Sequence, residues 1–270
     1  MKRRRLAARP LKASVLAAVL LVGFAASARA GDSDATAEAE TTSKLSLSAN
    51  LALTTDYIFR GFSQTDEGPA IQGGFELGYK NFYLGVWGSN VNFGGAYNQA
   101  GDTQDLAYLE IDWYGGIKPV WKGITFDIGA YYYTYPDSLG FAHLDYVEAK
   151  TGASYTFFDK LTLGLANWWT PQNYDETGRN DVLEFSGSYA LNKIWIFTPT
   201  ISALVGRQWG EETKGGFDYT YWNAGVILGF NETPAFTLDV RYWDTNIPGC
   251  SAAVIFQCDQ RVIATLQTIF

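Results

Sequence analysis

Three groups of residues in this chain could do chemistry. His143 is the single histidine among 270 residues, so any nucleophilic triad would have to use it. The position two residues on, where a barrel phospholipase places its serine, holds Asp145. A lone histidine beside a loop reads as a surface residue, and with no second histidine a His-based metal centre is excluded. Glu110 and Asp112 stand at i, i+2, which on a strand puts their Cα atoms roughly 7 Å apart on one face. Carboxylates at such a spacing could serve as acid and base in glycoside hydrolysis, but a pore lining supplies acids at the same spacing with no chemistry attached. Cys250 and Cys258 are the only cysteines; in an exported chain they are expected to form a disulfide. Gly73-Gly74 and Gly94-Gly95 precede no helix, so they are not phosphate cradles. No catalytic residue, cofactor or metal is expected.

The elements that would position these residues are strands. From about Lys44 onward no window keeps apolar residues at helical spacing, whereas alternation with period two recurs about every 20 residues, between Gly, Asn, Asp and Pro clusters. Twelve such segments follow one another. The first is expected to run from Leu45 to Phe59, with Leu45, Leu47, Ala49, Leu51, Leu53, Tyr57 and Phe59 on its apolar face, and the fourth to show Ala107, Leu109, Ile111 and Trp113. The charges fall at the opposite parity: Asp56, Arg60, Glu76, Glu110, Asp112, Asp127, Glu148, Lys150, Glu184, Asp239, Arg241 and Arg261. A soluble sheet also alternates. Strands of about 10 residues with aromatic residues gathered at both ends instead match a tilted membrane span, where a midplane charge facing lipid costs roughly 2–4 kcal/mol.

The final stretch, Arg261 to Phe270, sets Val262, Ala264, Leu266 and Phe270 on one face and Arg261, Thr265 and Gln267 on the other. An ending of this kind resembles that of bacterial outer-membrane β-barrels, whose last strand closes on the first and is handled by the barrel assembly machinery. The expected fold is therefore all-β: a transmembrane, antiparallel, up-and-down barrel of about 12 strands over residues 44–270. Short connections such as Lys80-Asn81 and Thr156–Lys160 alternate with longer ones such as Gly61–Pro69 and Thr245–Cys258. Short turns lie on the periplasmic side of such barrels, so both termini are expected there.

Residues 1–30 carry Lys2, Arg3, Arg4 and Arg5, an apolar run from Ala13 to Phe24, and Ala28-Arg29-Ala30, the layout of a secretory signal peptide cleaved after Ala30. Residues 31–43 are acidic and nearly free of large apolar side chains, a flexible lead-in. Without residues 1–30 the net charge is −15, which argues against nucleic acid as a partner.

Three motifs carry a family resemblance: TTDYIFRGFSQTDEGPA at Thr54–Ala70, continued by AIQGGFELGY; YLGVWGSNV at Tyr83–Val91; and TFDIGAYYYTYP at Thr125–Pro136. Through them the chain resembles the TorF family, which carries a porin label and is also called the Gcw_chp family of bacterial proteins. Where the resemblance leads one to expect an acid after Val91, the chain has Asn92. The resemblance implies a barrel in the outer membrane of Gram-negative bacteria, in contact with outer-membrane lipid and passing small solutes or ions.

The inward parity also carries rings, among them Trp87, Tyr108, Tyr114, Tyr131, Tyr133, Tyr146, Tyr221 and Trp243. They could form a stacking track for solutes or simply fill the bore. The inward charges sum to −4, so an open pore should prefer cations. The alternatives are a neutral, filled barrel with a structural or surface-binding role and, further off, a barrel hydrolase.

Overall fold

The computed structural model describes residues 45–93, 95–97, 103–136, 138–139, 142–230, 235–248, 250 and 257–270. The signal peptide and acidic lead-in expected over residues 1–43 lie outside the described residues.

Twelve long strands form the molecule: β1 (Leu45–Thr54), β2 (Ala70–Tyr79), β3 (Phe82–Asn90), β4 (Leu109–Ile117), β5 (Ile124–Thr134), β6 (Tyr146–Phe157), β7 (Leu161–Thr170), β8 (Asn180–Ala190), β9 (Phe197–Gly210), β10 (Tyr219–Phe230), β11 (Ala235–Thr245) and β12 (Arg261–Ile269). Each pairs antiparallel with the next in sequence, a two-residue stub at Val120–Trp121 joins beside β5, and β12 returns to pair with β1 from Thr54↔Thr265 to Asn50↔Ile269. The sheet is thus a closed barrel without a free edge, which in lipid is the only way a sheet can satisfy all its backbone groups. Beyond β12, Phe270 N–H donates to the Ala49 carbonyl at 2.9 Å and its own carbonyl accepts from Ala49 N–H at 3.3 Å.

The barrel is inverted relative to a soluble protein. Leu47, Leu53, Ile71, Phe75, Leu84, Trp113, Leu165, Phe185, Val240 and Leu266 stand exposed on the outside, while among the described residues ten charged side chains are buried inside. One end has short turns, with Phe158, Trp195 and Trp121 exposed and Lys80, Lys118 and Lys122 each set over an aromatic ring. The long loops gather at the other end.

Inside, large rings require small neighbours. The Tyr114 ring lies across Gly85, its partner in the β3–β4 register, where a Cβ would collide with the phenol.

Two expectations are corrected. β1 ends at Thr54 rather than Phe59; the chain then turns into the bore, so Tyr57 is buried and Phe59 half-buried inside instead of lying on the outer face. At the entrance to β4 the parity also breaks: Tyr108, expected inside, is 57% exposed, and Ala107, expected outside, is fully buried. Both residues precede β4, which begins at Leu109, where strand parity begins to apply.

Candidate pore and its plug

The first long loop, residues 55–69, folds into the barrel as a plug. Asp56 shapes it: its carboxylate accepts from Ser63 Oγ at 2.7 Å and Thr65 Oγ1 at 2.9 Å, and Thr65 Oγ1 also accepts from Tyr57 N–H. Ile58–Phe59 and Phe62–Ser63 then pair as a miniature hairpin. Its two-residue tip, Arg60 at φ 49° and Gly61 at φ 91°, has the positive φ at both positions that defines a type I′ turn. A Cβ at Gly61 would collide with Thr245, so glycine is required there twice over.

The plug is tied to the wall by polar bonds that cross the bore. The Arg60 guanidinium donates to both oxygens of Glu148, from Nη1 and Nη2 at 2.8 Å each. Burial works against the charge, but the carboxylate opposite outweighs it and holds Arg60 well above its usual range. Tyr57 Oη donates to Glu110 Oε1 at 3.0 Å. Burial first, then the Glu110 charge, raises the Tyr57 phenol well above its ordinary value, so it remains a donor. Tyr219 Oη donates to the Arg60 carbonyl at 3.1 Å, and the Phe62 ring meets Tyr219 edge-on at 5.2 Å. On the far side Arg261 holds Asp56 at 2.8 Å and Glu67 at 3.0 Å.

Of the twelve charged residues expected to line the bore, Glu76 and Arg261 are half-buried and the other ten are buried. Asp56 and Arg60 sit on the plug, not on β1 as expected. All four cations meet an acid: Arg60 with Glu148, Lys150 with Asp127 at 2.8 Å, Arg241 with Asp239 at 3.0 Å, and Arg261 with Asp56. Glu184 accepts from Trp168 Nε1 and Tyr221 Oη. Pairing does not neutralise the lining, because eight acids face four bases.

Asp112 is different. It is fully buried, and neither oxygen has a hydrogen-bond partner among the described residues. Its neighbours across the sheet are Trp87 on β3 and Tyr133 on β5.

Rings crowd the wall from β4 to β6, with Tyr131 stacked on Tyr114 at 5.2 Å and Tyr146 on Tyr133 at 4.5 Å. Open space remains along β1, β2, β11 and β12 as a cavity of ≈ 120 Å³, large enough to hold water. Its walls carry Asn50, Gln72, Glu76, Asp239, Arg241 and Gln267, and its roof is the plug at Asp56, Tyr57 and Ile58.

Glu110 and Asp112 are buried beneath the plug. His143 is exposed and Asp145 accepts from Tyr135 N–H at 2.9 Å. Cys250 and Cys258 are joined by a disulfide in the last long loop. The inward-folded plug is the functional feature that parity alone missed; Arg60-Gly61 between apolar residues was its one local signal.

A family model described as "Bacterial protein of unknown function (Gcw_chp)" matches residues 38–270. No curated protein matches the chain in sequence. Solved structures similar to it include the NanC porin (TM-score 0.47, 9% identity, 83% of this chain and 98% of that one), OmpT of Vibrio cholerae (0.42, 11%, 84% and 97%) and LpxR from Salmonella typhimurium (0.43, 12%, 83% and 99%).

Proposed function

The chain belongs to the Gcw_chp family, and from that premise and the lumen described above we propose that it is a porin-like channel of the bacterial outer membrane, shut at rest by its first loop and selective for small cations. The TorF identification, with its porin label, is part of the same proposal. The apolar outer face fits lipid, and the short turns at one end support a periplasmic position for that end and for both termini. Insertion runs through the terminal strand and the barrel assembly machinery, after removal of residues 1–30.

The observation that carries the reading is the combination of a polar cavity inside the barrel with a roof fastened by polar bonds. A wall meant only to be filled would close that space with side chains. An excess of acids in a narrow, low-dielectric bore concentrates cations.

The test is the current through refolded protein in a planar bilayer. Small, cation-selective openings that grow when residues 57–66 are deleted support a plugged channel. Absence of current both with and without the plug would make the protein a filled barrel, with a structural or surface-binding role.

A further inference from the structure

Arg60 is an odd residue for its position. The first residue of a type I′ turn must hold positive φ, which Asn, Asp and Gly tolerate, whereas a longer side chain there is disfavoured because its Cβ crowds the carbonyl oxygen. The Arg60 backbone therefore carries strain, and its side chain carries the compensation.

What it binds is a ready-made receptor on the barrel wall. Glu148 takes the guanidinium fork with both oxygens at 2.8 Å, Tyr133 Oη donates to Glu148 Oε2 at 3.1 Å, and the Trp168 ring stands 5.6 Å from the guanidinium carbon. Fork-to-carboxylate pairing beside an aromatic face selects a planar guanidinium over a compact ammonium.

A further carboxylate lies in the same wall. Beside Tyr133 lies Asp112, fully buried, with both oxygens lacking a partner among the described residues, and Glu110 follows on the same face of β4. Arg60 serves Glu148, and Tyr57 and Tyr135 serve Glu110, which leaves Asp112 without a donor among the described residues. A solute with a guanidinium at one end and an ammonium at the other would answer both halves, while a solute carrying its own carboxylate would be repelled. Trp87, opposite Asp112 in the β3–β4 register, and Tyr57, bonded to Glu110, both border the open cavity.

We propose that the wall around Glu148 is a binding site for guanidinium-alkylamines, that Arg60 fills it in the closed state, and that such solutes open the channel by displacing Arg60. The site stands on the geometry alone; its role in opening rests on the channel reading above.

The experiment is equilibrium dialysis of the refolded barrel in detergent with agmatine as the probe, and with putrescine and arginine as comparators. Arg60→Ala vacates the receptor, so it should bind agmatine at least tenfold more tightly than the unsubstituted protein and gain much less for putrescine and arginine. Adding Glu148→Gln to Arg60→Ala should abolish the gain. Should Arg60→Ala not refold, Arg60→Gln keeps the bulk without the charge and carries the same expectation. Equal affinity with and without Arg60, or an equal gain for putrescine, overturns the site. Bilayer recordings separate the two readings. Agmatine binding with a silent bilayer leaves the site standing and removes the channel, whereas current through Arg60→Ala without an agmatine gain does the reverse.

Discussion

Arg261 and Asp56, 205 positions apart in sequence, meet at 2.8 Å where the last strand passes the first loop. The same guanidinium reaches Glu67 at 3.0 Å, so one side chain of the closing strand fastens the plug at both its ends. Breaking a buried pair by removing one partner costs roughly 3–5 kcal/mol, and an exposed pair is worth 0–1. Arg261 is between those limits, its side chain 12% exposed. Arg261→Ala should raise the open probability about tenfold or more in single-channel records while leaving the barrel's heat-modifiable migration on gels intact. Unaltered gating would mean that the plug is held elsewhere.

Tyr57 donates to Glu110 from the inner surface of the plug. Tyr57→Phe removes that hydroxyl from a buried carboxylate, a loss of about 1–3 kcal/mol, partly offset because Tyr135 also bonds Glu110. The pH dependence has a definite sign. The phenol is raised well above its ordinary value of 10.0 in the folded protein, so the stability it contributes is fully present below about pH 10. It declines above that, as the unfolded chain ionises first. Plug closure followed from pH 7 to 9 should show no titration that Tyr57→Phe abolishes.

The disulfide between Cys250 and Cys258 sits against the plug: Thr245 Oγ1 approaches Cys250 Sγ at 3.5 Å, and Ser63 N–H donates to the Gln257 carbonyl at 2.9 Å. Closing so short a loop contributes about 2–3 kcal/mol in the chain-entropy account. Reduction, or Cys250→Ser with Cys258→Ser, should therefore increase flickering of the current without unfolding the barrel. Unchanged gating noise would separate this loop from the plug.

The outer face was legible in the sequence because period two is enforced wherever a strand has a hydrophobic side, and Leu45 to Leu53 obey it to the last residue. The plug was not, because Tyr57 and Phe59 continue the same alternation with Asp56 and Arg60 after β1 has ended. A hairpin tip repeats the strand's pattern while reversing its direction, so parity cannot distinguish them; the conformational demand at Arg60-Gly61 can. Inward charges were likewise readable as a set. Their pairing was not, since Lys150 reaches Asp127 through the β5–β6 register and Arg60 reaches Glu148 from a loop 88 positions away.

Phe270 bonds Ala49 through both its backbone groups and exposes its ring at the short-turn end. Deleting it removes the last bonds of the seam between β12 and β1. The expected result is less inserted barrel in the outer-membrane fraction, with undiminished export across the inner membrane. Equal insertion would detach the terminal residue from assembly.

Selectivity follows from the lining. Glu76 is half-buried and borders the open cavity, so a substitution there changes the field at the cost of one bond from Tyr114. A unit charge acting at 4 Å through water is worth about 1 kcal/mol, several-fold in local ion concentration, and more where the walls exclude water. Across a salt gradient the reversal potential should lie on the cation side, and Glu76→Lys should move it toward zero or past it. Glu76→Gln should fall between the two, because it removes one charge where lysine exchanges two. A reversal potential on the anion side in the unsubstituted protein, or one indifferent to all three side chains, would show that the acids inside this barrel are structural and that ions pass, if at all, by another route.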